Sequence, residues 1–396
     1  MMEISKSSKK VRVLQILVGG DTFTGISSYL YQFYSYMDRE KVHFDFLFCT
    51  ENSLKMKQDD PIFDDSLFYE LHARKKNSSS TDYIAAYKGI KKHLKNHKYD
   101  FVVINTSVVA AIVACIMAAK NHPELCIISH AHNMNVLFKN HSLRGRLKKL
   151  TGIFDNGCRS IIRRNCRYFF ACSEEAAIAT FGKKISQDKR LRIINNAIDI
   201  DNFIFDPNIR SRIRDNIDID EDTFVYGNVG KLSDQKNQSF LINVFSEIHR
   251  IKPKSELWII GEGSERANLE KQASELKLDK AVRFWGQRSD VNELLQAMDC
   301  FVFTSKSEGL GIVAIEAQAS GLPTIISDGV PVSASITDLC KQLTLRLSSE
   351  RWARAVIEFC EKNQKRENMK QKIIDSGYEI KTEARKMTDF FLRYKK

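Results

Sequence analysis

Short apolar runs alternate with helix-periodic stretches along this chain, and they do so in two successive series. In the first, strand-like runs fall at residues 11–18, 42–49, 100–105, 126–130, 168–172 and 191–195. Helical spacing of apolar residues fills 26–37, 82–96 and 108–120. The second series places strands at 223–229, 256–260, 282–285, 300–303 and 324–327, with helical patterns at 237–250, 265–276, 291–298 and 312–320. Strands separated by helices need crossover connections, which makes their sheet parallel and covers both its faces. The chain therefore reads as α/β, with two doubly wound parallel sheets. Its 396 residues are too many for one ordinary domain and enough for two with full cores. The hinge is placed in NNAIDIDNFIFDPNIRSR, where periodicity is weak and Pro207 interrupts it, dividing domains 1–198 and 199–378.

No stretch approaches ~18 uninterrupted apolar residues, so no spanning helix is expected. The opening MMEISKSSKK runs straight into VRVLQILV without the apolar stretch and cleavage site of a signal peptide. The expectation is a protein that stays in the cytoplasm. Its nine cysteines have no C-x-x-C and no regular spacing, which suits reduced thiols in a core. The net charge of +12 is uneven: from Met1 to Ala197 there are 31 Lys and Arg against 18 Asp and Glu, and the remainder nets −1. Excess positive charge confined to one half points to a polyanionic or membrane-surface partner for that half.

Open doubly wound sheets bind ligands beyond the carboxyl ends of their strands, where strand order switches. Two such sheets facing each other would enclose a cleft. The strongest signal, SKSEGLGIVAIEAQASGLPTIISD, follows the strand-like CFVFTS. Glu308 lies in a glycine-bearing loop and Glu316 in the helix beyond it. Backbone N–H groups around Gly311, Ile312 and Val313 lack partners within the helix and, with its dipole, suit a diphosphate. Gly309 and Gly311 flank Leu310 and let that backbone approach closely. On this reading Glu316 accepts from ribose hydroxyls and Glu308 reaches a donor sugar. A helix start with incidental acidic residues is the plain alternative. GNVGKLSDQKNQ bears on that choice, because its Lys231 and Lys236 would neutralise a diphosphate leaving group, work a metal would otherwise do. IIGEGSER adds Gly261, Gly263 and Arg266 after a third strand. Each alone is more often structural; three strand-end loops with compatible chemistry are harder to dismiss.

These segments, with FWGQRSDVNELLQAMDCFVFTSKSEGLGIVAIEAQASGLPTIISD, FFACSEEAAIATFG and IINNAIDIDNF, resemble the GT-B fold glycosyltransferases of family 4, in the capsule and exopolysaccharide branch. The resemblance implies two Rossmann-like domains and a retaining, metal-independent hexosyl or N-acetylhexosaminyl transfer in surface-polysaccharide assembly. It implies diphosphate contacts from Lys231 and Lys236, with Lys231 standing where Arg is usual and so lacking the bidentate fork. It assigns the donor sugar to Glu308 and ribose to Glu316. The donor would be a nucleotide sugar, UDP the expected nucleotide, acting as co-substrate with no further cofactor. The closing helix, within 379–396, would return to the first domain.

The first half resembles the family less closely. Gly25 in DTFTGISSYL matches its glycine-rich loop, although the usual double glycine is displaced to Gly19–Gly20. In ISHAHN, His130 occupies the place of a histidine near the transferred sugar, with His132 and Asn133 beside it. Hydrogen bonding to the sugar or to the cleft wall is favoured over metal, since no carboxylate or Cys ligand lies nearby in sequence. Ser173 is read as a helix cap. The Asp-x-Asp pairs at Asp199–Asp201 and Asp218–Asp220 are read as linker solvation.

Between residues 144 and 167, Arg144, Arg146, Lys148, Lys149, Arg159, Arg163, Arg164 and Arg167 are opposed by Asp155 alone, while Leu143, Leu147, Leu150 and Phe154 recur at helical spacing. Such a helix suits an anionic membrane surface, each cation contributing roughly 1 kcal/mol; a packed helix with a solvated face is the alternative. The family's use of lipid-diphosphate-linked saccharides favours peripheral association with the inner membrane face, beside a saccharide or polyprenyl-diphosphate-linked acceptor. Two other classes compete. A sugar-nucleotide 2-epimerase shares the architecture, but the Glu-x7-Glu and Lys-x4-Lys patterns argue against it. A basic nucleic-acid binder would leave the glycine loops unexplained and has no interleaved aromatics.

Overall fold

A computed structural model describes residues 10–18, 25–49, 60–71, 73, 82–132 and 145–395, with backbone alone at Gly25, Ser28 and 145–154. The chain divides into two compact units, Met1–Asn196 with Ile380–Lys396, and Ala197–Glu379.

The first unit alternates β1 (Val11–Leu17), α1 (Gly25–Tyr36), β2 (Val42–Phe48), β3 (Phe68–Glu70), α2 (Tyr83–Asn96), β4 (Phe101–Asn105), α3 (Val109–Ala119), β5 (Cys126–Ala131), α4 (Gly145–Asn165), β6 (Tyr168–Ala171), α5 (Glu174–Phe181) and β7 (Leu191–Ile193). Its seven strands run parallel in the order β3-β2-β1-β4-β5-β6-β7. The central strands are buried on both faces, which is why they read as nearly unbroken apolar runs. Ser173 caps α5, its side chain accepting from Ala176 N at 3.1 Å.

The second unit comprises α6 (Pro207–Asn216), β8 (Phe224–Val229), α7 (Gln238–Ile251), β9 (Ser255–Ile260), α8 (Arg266–Glu275), β10 (Val282–Gly286), α9 (Val291–Ala297), β11 (Cys300–Phe303), α10 (Ile312–Ala319), β12 (Thr324–Ser327), β13 (Cys340–Leu343), α11 (Ser349–Lys362) and α12 (Lys370–Asp375). Its six strands run parallel as β10-β9-β8-β11-β12-β13. Strand order reverses between β1 and β4 in one sheet and between β8 and β11 in the other. These are the two switch points where a ligand crevice opens.

Departures from the sequence reading fall at the sheet edges and at Pro207. The edge strands β3 and β13 were not expected. Pro207 does not interrupt a linker: it opens α6 at a position where its missing N–H costs nothing, and Asp206 caps the helix. The last helix, α13 (Ile380–Tyr394), lays Phe391 against Phe44 and Phe101 and Phe390 against Tyr168 and Phe170 of the first unit. Phe391 is buried, which stabilises this attachment by about 1.5–3 kcal/mol.

Candidate active site

At the second switch point the loops following β8 and β11 are laced together. Lys306 N donates to Gln235 O at 2.8 Å and Gln235 Nε2 to Ser307 O at 2.7 Å. Asn237 Nδ2 donates to Thr304 O at 3.2 Å, and Thr304 Oγ1 returns a bond to Asn237 O at 3.0 Å. Asn237 sits in the left-handed region at φ 58°, a conformation Asn tolerates, and this turns the chain from the loop into α7. Lys306 also pairs with Asp234. Within this frame the Nζ of Lys236 lies 2.7 Å from Glu308 Oε1 and 4.9 Å from the centre of the Phe303 ring. Glu308 is 8% exposed, and its backbone N–H donates to Gly329 O at 2.9 Å. Lys231, on the same loop as Lys236, is exposed.

Gly311 takes φ +84° and begins α10 with no side-chain cap. The first amides of that helix, from Ile312 and Val313, thus have no cap side chain to donate to. The side chains of Leu310 and Val313 pack into the core, which leaves only their backbone facing outward. Half-buried Glu316 lies in the second turn. Burial raises its carboxyl pKa to about 7, and no cation lowers it. Lys236, Glu308 and residues 309–313 are therefore brought together at one sheet edge, with Glu316 a turn deeper.

The third loop is built differently from its sequence reading. A Cβ on Gly261 would meet Gly230 O at 2.0 Å, and one on Gly263 would meet Leu232 O at 2.1 Å. These glycines let two protein backbones touch rather than a ligand approach. Arg266 is engaged as well: it pairs with Glu262 and, at 2.8 Å, with Glu270. Its partners are one carboxylate of its own helix and one of the loop before it.

In the first unit, His130 is the penultimate residue of β5 and His132 follows the strand, their rings 3.8 Å apart and both buried. Burial and the neighbouring His132 push His130 well down, and burial pushes His132 down to about 3, so both are neutral. His132 Nε2 lies 2.9 Å from Asn105 Oδ1, and Asn105 Nδ2 lies 2.9 Å from Gln15 Oε1. Sequence reasoning missed Gln15, Asn105 and Tyr29; the signal available was a polar residue inside each of two apolar strands. Gly25 starts α1, while Gly19–Gly20, Asn133 and Arg144 lie outside the described residues. Among the described residues no three His, Cys, Asp or Glu side chains converge as a metal site. Asp201 pairs with Lys370, and Asp199 accepts from Asn202 Nδ2 at 2.8 Å.

The basic stretch forms α4, which carries Arg146, Lys148 and Lys149. Two of its cations are not free on a solvent face. Arg159 donates to Thr180 O and Ala179 O at 3.2 and 2.9 Å, and Arg163 to Phe181 O at 3.0 Å, satisfying the last carbonyls of α5. Arg164 and Arg167 are exposed. No helix among the described residues is long and apolar enough to cross a membrane.

Two units, each a parallel sheet with covering helices, give the chain the GT-B fold. Anabaena HepE, solved in complex with UDP, superposes with a TM-score of 0.75 at 18% identity, over 97% of this chain and 100% of that one. WaaG, a glycosyltransferase involved in lipopolysaccharide biosynthesis, superposes with a TM-score of 0.66 at 19% identity, over 95% of each chain. Residues 23–202 match the model of Glycosyltransferase Family 4, and residues 209–375 that of Glycosyl transferases group 1. The chain belongs to this family and is a glycosyltransferase. It is 27% identical over 379 residues to EpsF of Bacillus subtilis, a protein named for glycosyltransferase function, covering 94% of each. It is 26% identical over 244 residues to an Escherichia coli UDP-Gal:alpha-D-GlcNAc-diphosphoundecaprenol alpha-1,3-galactosyltransferase, covering 60% of each.

Proposed function

We propose that the chain transfers a hexose or N-acetylhexosamine from a UDP-sugar, with retention and without a metal, to a saccharide or polyprenyl-diphosphate-linked acceptor during surface-polysaccharide assembly. The Lys236–Glu308 pair beside the uncapped start of α10 carries this reading. The diphosphate would lie against the amides of Ile312 and Val313 with Lys236 and Lys231 above it, where opposite charge and oriented dipoles favour it. As the C1–O bond to phosphate breaks, negative charge grows on the departing oxygen, and the cations stabilise that growth more than the ground state. The acceptor oxygen then bonds C1 on the face being vacated, and its proton passes to the leaving phosphate. Glu308 would accept from sugar hydroxyls while holding Lys236, and Glu316 from the ribose. The UDP-bound relative of the same fold and the acceptor in the E. coli relative's name support the choice of nucleotide and acceptor. Arg164, Arg167 and the amino-terminal half of α4 would rest on the anionic inner membrane face.

A hydrolysis screen across UDP-, GDP-, ADP- and dTDP-sugars without acceptor tests the proposal. Slow UDP release from one sugar, undiminished by EDTA, is expected. Turnover of none, or dependence on added divalent metal, would overturn it.

A further inference from the structure

Among the described residues of the first unit, seven buried side-chain polar atoms have no hydrogen-bond partner, and three of them belong to neighbouring rings: Tyr29 OH, His130 Nε2 and His132 Nδ1. Their rings form one cluster, Tyr29 standing 5.3 Å from His130 and 5.1 Å from His132. An unmade buried hydrogen bond costs roughly 1–3 kcal/mol, so folds seldom keep several side by side unless a ligand or water completes them. The cluster lies at the carboxyl end of β5, beside the switch point between β1 and β4.

The behaviour of one nitrogen here is settled by its neighbours. Asn105 Nδ2 faces Val103 O at 3.4 Å as well as Gln15 Oε1. A backbone carbonyl only accepts, so this end of the amide is the donating one, and Oδ1 is turned toward His132. Oδ1 only accepts in turn, so His132 Nε2 carries the proton and Nδ1 presents a bare lone pair. Gln15 and Asn105 are 2% and 0% exposed, so water does not compete for these bonds. The groups facing the histidines are Tyr29 from α1 and Cys172, whose thiol donates to His132 O at 3.2 Å. Beyond Tyr29 stands Glu383 of α13, its carboxylate held by Lys386 at 2.6 Å. No unpaired carboxylate among these favours the imidazolium.

We propose that Gln15 and Asn105 are positioning residues that lock His132 in one tautomer, so that its Nδ1 accepts a hydrogen bond from a sugar hydroxyl bound at the first switch point. The identity of that ligand as a sugar rests on the proposed function; the lock itself does not. The hydroxyl belongs to the transferred sugar or to the acceptor saccharide, and no covalent bond changes. A site built around a fixed acceptor rejects an analogue that lacks the hydroxyl, because the buried nitrogen then stays unpaired.

Two measurements on the full chain test this. In the long-range 15N–1H spectrum, His132 should show protonated Nε2 and bare Nδ1, unchanged between pH 5.5 and 8. A protonated Nδ1, or titration within that range, overturns the lock whatever the enzyme's substrate. The second measurement compares UDP-glucose, UDP-galactose and UDP-N-acetylglucosamine with their 3-, 4- and 6-deoxy forms, and methyl glucosides with their deoxy forms as acceptors. One deoxy position should lose roughly 10- to 100-fold in kcat/KM. N105L and Q15L should reduce that discrimination to under about threefold, whereas N105D, which still accepts from Nε2–H, should retain it. Loss among donor analogues assigns the hydroxyl to the transferred sugar, and loss among glucosides assigns it to the acceptor. Equal reaction of all analogues, or full discrimination in both N105L and Q15L, overturns the proposal. If no nucleotide sugar reacts, the functional reading fails while the spectrum still decides the lock.

Discussion

Lys236 reaches Glu308 across the second switch point, Nζ to Oε1 at 2.7 Å, and so ties together two loops although the two residues are 72 apart in sequence. The pair has separable structural and chemical duties. K236M leaves the nearly buried Glu308 carboxylate without this cation, and stability should fall by roughly 1–3 kcal/mol in urea melts. Adding E308Q removes that charge and should restore most of the loss. Activity should not follow: K236M and the double variant should both lose roughly 100- to 1000-fold in kcat, as when one stabilising donor is removed from a developing anion. Recovery of rate in the double variant would make the pair a structural clasp alone.

Glu316 should give nucleotide binding a pH dependence. Its carboxyl pKa lies near 7 in the folded protein because burial disfavours the charge. A carboxylate that accepts from two ribose hydroxyls must be ionised, so UDP should bind more weakly as pH falls from 8 to 6. E316Q should flatten that profile at a lower affinity, read by titration calorimetry. The stability effect has the opposite sense. Between the unfolded carboxyl pKa and about 7 the folded state binds the extra proton, so this residue's penalty grows with rising pH and is complete above 7. E316Q should therefore stabilise the ligand-free protein at pH 8, by on the order of 1–3 kcal/mol, and hardly at all below pH ~5. A stabilisation equal at both pH values would contradict the burial account.

Gly261 and Gly263 should behave as packing residues. Gly261→Ala puts a methyl against Gly230 O, and Gly263→Ala puts one against Leu232 O, both backbone atoms that cannot swing aside. Gly261 also holds φ +138°, a region that strains any L residue. Each substitution should cost roughly 2–4 kcal/mol of stability, by overpacking together with backbone strain. Any loss of activity should track the folded fraction. Normal thermal stability combined with a raised KM for the nucleotide sugar would return these glycines to the ligand.

How much of this was legible depended on where the deciding contact lay. Strands β11 and β12 coincide with the residues read from sequence, since each is an apolar run between turn-forming loops. β3 and β13 are three- and four-residue edge strands, FYE and CKQL, with no alternation to mark them. Lys236 and Glu308 could be singled out because parallel-sheet topology sends strand-end loops to one edge, whatever their distance in sequence. Gly261 was ambiguous, because a glycine approached by a phosphate and one approached by a carbonyl look alike until the neighbour is placed. The ion pairs of Arg266 could have been anticipated, since Glu262 and Glu270 stand four residues to either side, the second at the spacing of helix ion pairs. Gln15 and Asn105 carried their signal as polar interruptions of VRVLQILV and FVVIN, which the count of apolar residues passed over.

The basic helix and the residues just after it yield the last prediction, because their arginines divide by what they touch. Arg159 and Arg163 bind the final carbonyls of α5, where a charged donor recovers groups the helix leaves unpaired. R159Q/R163Q should cost roughly 2–4 kcal/mol of stability in urea melts and change vesicle binding little. Arg164 and Arg167 are exposed, and each should contribute about 1 kcal/mol near an anionic surface. R164Q/R167Q should then weaken partition to phosphatidylglycerol vesicles roughly 30-fold at low salt, with unchanged stability. Because that attraction is screened within a Debye length, the difference should shrink toward nothing near 1 M salt. Sedimentation of both variants with vesicles, beside urea melts, separates the two arginine pairs. Equal binding by R164Q/R167Q and the unaltered protein at low salt would remove α4 from the membrane surface.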